Sequence, residues 1–452
     1  MKETLNVGVA RRCITPPLGT ILYGYPLARE AQAVGDDLHV VAAAFAWGEV
    51  RALLISADIC SCSGDFVAVI RNAITEKTGI PGKQIIFCAT HTHSGPNTSL
   101  RATGWGKPNL EFMENTLLPK TVEAAVEAVS ALQPALFGVG VTQSDVGCNR
   151  RVISPEGEVG LGQNPWGVFD RDMTVMSFKN AQTGACMLNI IHYSAHATAS
   201  AENYEITRDW PGVMKDVLEA ESGGVCMFLA GAIGECGPRC PNGRTTQSFA
   251  AAKALGYRAG LDAVVAWRSI KEWKNVPVCL AHGDVTIPFD PLPAREDAIA
   301  AITWLESEEN LRDQEKADDI PRRKASDKSE LLRWQNILKE YEKPELEKAF
   351  VYPQSILAFA DVAIVPMPFE LFLYPTLQLR LYSTFRHTLS VSNANGARAY
   401  LPSKDQLCMG GYEVWQFRYA NTYKMVDNAA DYVVTENLPL LKEAYETLAS
   451  QA

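Results

Sequence analysis

The run Gln84-Ile85-Ile86-Phe87 is short and apolar, and Cys88-Ala89-Thr90-His91-Thr92-His93-Ser94-Gly95-Pro96-Asn97 follows it at once. An apolar run of this length bounded by turn residues reads as a buried strand, and Ser-Gly-Pro-Asn can continue only as a turn. Two histidines therefore stand where a core strand breaks into a loop. In an extended segment, residues 91 and 93 would share one face, and imidazole is the commonest metal ligand among side chains. His-x-His alone is equally compatible with two unliganded loop histidines. The pattern recurs, however. A β-type run at 186–193 opens into Ser194-Ala195-His196-Ala197-Thr198, and another at 225–229 opens into the glycine-rich turn Ala230-Gly231-Ala232-Ile233-Gly234-Glu235-Cys236-Gly237-Pro238-Arg239. Three strands that each end in a polar loop imply one shared active-site edge.

The bulk properties bound the class. A chain of 452 residues exceeds the usual single-domain range, and a hydrophobic fraction of 47% supports a sizeable core. A net charge of −10 argues against a nucleic-acid or anionic-membrane partner. Eleven cysteines without regular spacing fit reduced thiols better than a disulfide framework. The start, Met-Lys-Glu-Thr-Leu-Asn-Val, has no apolar signal core, and no run approaches the roughly 18 apolar residues of a membrane span. The expectation is a soluble, cytoplasmic protein acting on a small molecule, with a homo-oligomer left open.

Read in order, strands and helical patterns alternate, which predicts a layered α/β, mixed α+β enzyme: a mixed sheet core flanked by helices. Residues 6–10 read as a first strand. Residues 40–47 and 52–56 form a hairpin around Gly48-Glu49, and Phe66 to Lys77 is a helix ending before Gly79. Residues 110–130 are one long amphipathic helix. Asn149-Arg150-Arg151 precede a Gly/Pro/Asn-rich loop at 155–168, with Arg150 placed in a loop after a strand ending at Cys148. A helix is expected from Val213, another over 369–385 with an awkward Pro375, and a last one from about Thr435. Residues 290–349 are charge-rich, and two helices near 294–309 and 326–342 read as a solvated excursion within the domain.

These loops together resemble the neutral/alkaline non-lysosomal ceramidases, zinc-dependent amidases of sphingolipid N-acyl bonds. The resemblance rests on Thr90-His91-Thr92-His93-Ser94-Gly95-Pro96, Ile14-Thr15-Pro16, Asn149-Arg150, Ala195-His196-Ala197-Thr198, Asp209-Trp210-Pro211-Gly212 and Gly234-Glu235-Cys236-Gly237-Pro238. Pro368-Phe369-Glu370-Leu371-Phe372, Ala399-Tyr400-Leu401-Pro402 and Gly411-Tyr412-Glu413 complete it. It spans residue 7 to the last helix. This implies a single catalytic domain over 1–452 without the immunoglobulin-like C-terminal domain of ceramidases.

The resemblance implies Zn2+ held by His91, His196, Glu370 and Tyr400. Two imidazoles and a carboxylate suit a hydrolytic zinc; a phenolate is a rarer ligand. Read without the resemblance, His196 would be a core histidine and Glu370 a helix N-terminal carboxylate. His192 is expected to neighbour the ligands without joining them. Arg150 and Tyr412 are implied at the substrate carbonyl as oxyanion donors, and His93 is the natural proton-transfer group. Asn149, Asp209, Glu235 and Gly237 are implied at the substrate. Ceramidases carry a serine where this chain has Gly237, and Cys236 is not its equivalent, so a serine-dependent step is not expected. The reading is a zinc-dependent hydrolase of an amide, ester or lactone in a small or polar substrate. The alternatives are a metal-dependent lyase or isomerase using the same site, and a non-catalytic binding protein.

Overall fold

The computed structural model describes residues 3–100 and 107–451. Eight strands form the larger sheet. From edge to edge they are Val225–Ala230, Cys186–Tyr193, Asp172–Asn180, Gln133–Gln143, Asn6–Cys13, His39–Trp47, Val50–Ala57 and Ile85–Ala89. The outermost pair at each end is parallel and the pairs between are antiparallel. A second sheet runs Val278–Pro288, Ala349–Phe359, Val362–Pro366, His387–Val391, its last pair parallel.

Side-chain alternation explains how the sheets stack. Along His39–Trp47, Val41, Ala43, Phe45 and Trp47 face one core, while Val40, Ala42 and Ala44 face another. The first core lies between the two sheets. There Phe45 packs against Phe178 of its own sheet and Phe359 of the other, with ring centroids 5.2 and 4.9 Å apart, each pair worth about 0.5–1.5 kcal/mol beyond area burial. The outer face of the large sheet is covered by helices Gly64–Thr78 and Leu118–Ser130 at one end and by Asp209–Ser222 and Phe249–Arg268 at the other. Helices Leu373–Tyr382 and Ala429–Gln451 cover the outer face of the small sheet. The result is a layered mixed α+β core of helices, sheet, sheet and helices, as the alternation of elements predicts. No described helix is long and apolar enough to cross a membrane.

Several boundaries differ from expectation, each for a local reason. The helical stretch over 110–130 is interrupted by a π turn, Met113–Leu117, just ahead of Pro119, whose ring would collide with the carbonyl one turn back in a regular helix. The helix expected over 369–385 is only Leu373–Tyr382, which leaves Pro375 in its first turn, where no intrahelical N–H is needed. Residues Glu370–Leu371 are instead a short strand. The helix expected from Val213 begins at Asp209, and the last begins at Ala429, with the Thr435 hydroxyl bonded back to Asp431 rather than capping. The excursion holds three helices, not two: Arg295–Leu305, Glu308–Gln314 and Ile320–Glu340. Part of the loop at 155–168 is a strand, Val159–Asn164, paired with Gly147–Ile153.

The two sheets meet along a seam. The large sheet coils until its two ends approach, and the Ser56 hydroxyl donates to the Phe228 carbonyl at 2.7 Å. Residues 392–395, leaving the small sheet, lie along both edges. Ser392 N–H donates to Ala230 O at 2.8 Å, Ala89 N–H to Asn393 O at 3.1 Å, and Asn395 N–H to Phe87 O at 2.7 Å. Asn393 and Asn395 adopt φ of 50° and 60°, a left-handed backbone that asparagine tolerates.

Candidate metal centre

Of the four residues implied as ligands, His91 and His196 stand beyond strand ends at this seam, and Glu370 and Tyr400 open two short strands. His91 follows Ile85–Ala89. Its N–H donates to Ile59 O at 2.9 Å and its φ is 69°. The backbone is therefore left-handed at His91, not the extended alternation expected of His-x-His, at a cost of about 1–3 kcal/mol. The two rings still converge, with His93 Nε2 3.2 Å from His91 Nε2. His196 follows Cys186–Tyr193, and its carbonyl accepts from the Trp210 indole at 2.8 Å. Glu370 and Tyr400 are cross-strand partners in a two-stranded parallel ribbon, Glu370–Leu371 with Tyr400–Leu401. His192 remains within its strand, a core histidine with Nε2 2.8 Å from Ser390 O and a buried Nδ1 that makes no hydrogen bond among the described residues.

The donor atoms of His91, His196 and Glu370 all lie within 4.8 Å of one another. Glu370 Oε2 is 3.1 Å from His196 Nε2 and 3.5 Å from His91 Nε2. The far nitrogen of each ring is tethered: His91 Nδ1 lies 2.7 Å from Cys60 O, and His196 Nδ1 lies 2.6 Å from Ile233 O. A carbonyl can only accept, so a neutral ring that donates from Nδ1 turns its Nε2 lone pair into the cluster; at His91 Nδ1 the Asn393 amide nitrogen also approaches to 3.0 Å. Backbone-anchored imidazoles of this kind are how proteins orient histidine ligands. Two imidazole nitrogens and one carboxylate from separate segments fit a divalent ion of borderline softness, zinc among them. Cys60, His91 and His93 make a second such group through the shared His91.

The electrostatics without an ion are those of a charged cluster. Burial opposes charge on Glu370, but the charge of His91 and hydrogen bonds from His196 and His91 outweigh it and hold its carboxyl well below the usual range. Burial opposes charge on His91, but the Cys60 sulfur and Glu370 outweigh it and push its pKa well up. His196 lies nearer to Glu370 yet is lowered to about 4, by burial and then by the Arg150 guanidinium. Burial, then His91 and His196, lower His93 well below its ordinary value.

Arg150 lies inside strand Gly147–Ile153, not in a loop beyond it, and is 5% exposed rather than solvated. The strand is held on one side by Cys236–Pro238, which brings Arg150 beside Tyr400. Arg150 Nη2 donates to the Tyr400 hydroxyl at 3.0 Å and Nε donates to Glu413 at 2.8 Å. Its Nη1 makes no hydrogen bond among the described residues. Arg151 Nη1 donates to the other Glu413 oxygen at 2.7 Å. Tyr412 starts the helix Tyr412–Tyr419, its ring centroid 5.8 Å from that of Tyr400.

The remaining expected residues are placed less directly. Asp209, at φ 56°, accepts from the backbone N–H groups of Ala199, Ser200 and Trp210 at 2.7–3.1 Å, tying down the loop that carries His196. Asn149 and Glu235 bond each other at 3.3 Å, and Glu235 also accepts from Leu373 N–H at 2.9 Å. Both line a cavity of about 720 Å³ that Arg151 shares and to which none of the four implied ligands contributes. At Gly237 an added Cβ would sit 2.8 Å from the Thr245 side chain, so a serine there would need Thr245 to shift. Asn393 and Cys60 contact His91, and Glu413 and Arg151 lie behind Arg150; none was among the expected site residues. Arg151 adjoins Arg150 in sequence and Glu413 closes the motif Gly411-Tyr412-Glu413, and these were the signals for them.

No protein-family model matches the chain, and no curated protein does. Among solved structures the chain is similar to the neutral ceramidase of Pseudomonas aeruginosa, with a TM-score of 0.75 and 17% identity over 99% of this chain and 75% of that one. It is also similar to a ceramidase complexed with C2, with a TM-score of 0.74 and 17% identity over 98% and 76%. At this identity the likeness establishes a neutral-ceramidase fold, the fold implied by the motifs.

Proposed function

We propose that the chain is a metal-dependent hydrolase of carboxamide bonds, with zinc held by His91, His196, Glu370 and Tyr400. The observation that carries this reading is the convergence of two tethered imidazole lone pairs on one carboxylate, beside a buried arginine. Its setting, a fold shared with ceramidases, supports it. When bound, such an ion supplies Lewis acidity and lowers the pKa of water. The protein's own residues supply the rest. Arg150 Nη1 donates to the substrate carbonyl oxygen as negative charge develops there, and the Tyr412 hydroxyl is the second donor. The His93 imidazole accepts the proton released on attack by water and returns it to the leaving amine. Asp209 fixes the His196 loop.

The fold neighbours are ceramidases, which favours a lipid amide over the small polar amide expected from the sequence. A polar amide is the second reading, favoured by Gly237, which stands where ceramidases have a serine. The deciding experiment is a screen of the zinc-loaded protein against ceramide, short N-acyl amines, esters and lactones in 18O-labelled water. The expected result is amide cleavage with label in the released carboxylate. Product without label points to a lyase or isomerase. Purified protein that binds no transition metal, or His91→Ala with unchanged metal content, would remove the basis of the proposal.

A further inference from the structure

We infer that Glu413 is a positioning residue that aims Arg150, and this rests on the hydrolase reading above. A guanidinium has five N–H donors in a rigid plane, so two fixed bonds determine where the remaining edge points. In Arg150 those two bonds are made: Nε to Glu413 at 2.8 Å and Nη2 to Tyr400 at 3.0 Å. The edge left over is Nη1, the group that donates to the substrate carbonyl in the proposed chemistry.

Glu413 itself is 1% exposed and has no freedom to drift. Its second oxygen takes Arg151 Nη1 at 2.7 Å, and Arg151 is anchored in turn by the Gly410 carbonyl at 2.8 Å and Gln406 at 3.1 Å. The carboxylate is thus a bracket between two guanidiniums from adjacent positions of one strand, whose side chains would otherwise diverge to opposite faces. Two cations against one carboxylate leave a positive charge unmatched within this bracket, and it faces Tyr400 and Glu370. Both of those groups raise the Arg150 pKa, after burial, which lowers it.

The role differs from that of a structural ion pair in what it should change. Glu413→Gln keeps the volume but leaves one acceptor oxygen where two guanidiniums need one each and turns an amide donor toward the other, so the bracket no longer holds Arg150 fixed. Misplacing such a group by about 1 Å costs about 10²-fold in rate. The expected result is a loss of about 10²-fold in kcat, with KM and metal content unchanged. In an Arg150→Ala background, Glu413→Gln should cause no further loss of kcat, because the residue it aims is gone. Glu413→Asp, which keeps the charge and shortens the reach, is the second variant should the glutamine fail to fold, and should lose kcat by a smaller factor. Wild-type kcat in either folded, metal-replete variant overturns the inference, as does a loss that multiplies undiminished with Arg150→Ala. A wild-type protein that cleaves no amide overturns the parent reading, and this one with it.

Discussion

A guanidinium buried to 5% exposure between a phenol and a carboxylate behaves unlike one on a loop. Removing a solvated loop arginine changes stability little, whereas stranding a buried charge costs about 3–5 kcal/mol. Arg150→Ala leaves Glu413 still paired with Arg151, so its destabilisation should fall below that range while remaining measurable in Tm. Turnover should fall by about 10²–10³, the loss seen when one oxyanion donor is removed. Lysine should restore the charge but not the planar fork, and so rescue only in part. Arg150→Ala with wild-type turnover would leave Tyr412 and the metal as the only electrophiles. At this scale the sequence was informative where a residue type is rare in a motif, as with His91, His93 and His196. It was uninformative where a role depends on a partner far along the chain. Glu413 lies 263 positions from Arg150 and Asn393 lies 302 from His91, and nothing local marks either contact.

Helices press on the large sheet where a strand offers no side chain. An added Cβ at Gly8 would lie 2.0 Å from the Ala128 carbonyl of helix Leu118–Ser130, and one at Gly140 would lie 2.0 Å from the Ala266 carbonyl of helix Phe249–Arg268. Both obstacles are backbone, so the helix itself must move. Gly140→Ala is therefore expected to destabilise by about 1–3 kcal/mol or more, whereas alanine at Gly160, where nothing lies within 4 Å, should leave Tm nearly unchanged. Equal melting temperatures for the two variants would show that the helix docks with slack. Element type was legible because burial fixes periodicity: Phe66, Val67, Ile70 and Ile74 all face the core of helix Gly64–Thr78, and Gly79 ends it at φ 73°. Boundaries were less legible where proline has two uses. Pro375 reads as a helix breaker in sequence and sits in a first turn in the structure. The short ribbon of Glu370 and Tyr400 was hidden because a two-residue strand has no period to detect.

Across the whole molecule, the implied ligands come from positions 91, 196, 370 and 400, and they meet only when both sheets are docked. A metal bound by this arrangement, as proposed, would bind the native state alone and stabilise it by about 2.7–4.1 kcal/mol at 100 to 1,000 times Kd. Treatment with a chelator should lower Tm, and adding zinc back should restore it. A Tm indifferent to both would argue that no ion ties the sheets together. The segment at 392–395 has a second consequence, for what the protein does in company. A sheet of eight strands has two edges, and exposed edges recruit other chains into intermolecular β-pairing. Here one short stretch bonds to the edge strands Val225–Ala230 and Ile85–Ala89 alike. Such contacts are expected to guard the edges against self-association as well as to scaffold the site. Ser392→Pro deletes the N–H that reaches Ala230, so on mild warming this variant should form β-rich aggregates at temperatures where the parent protein remains dispersed.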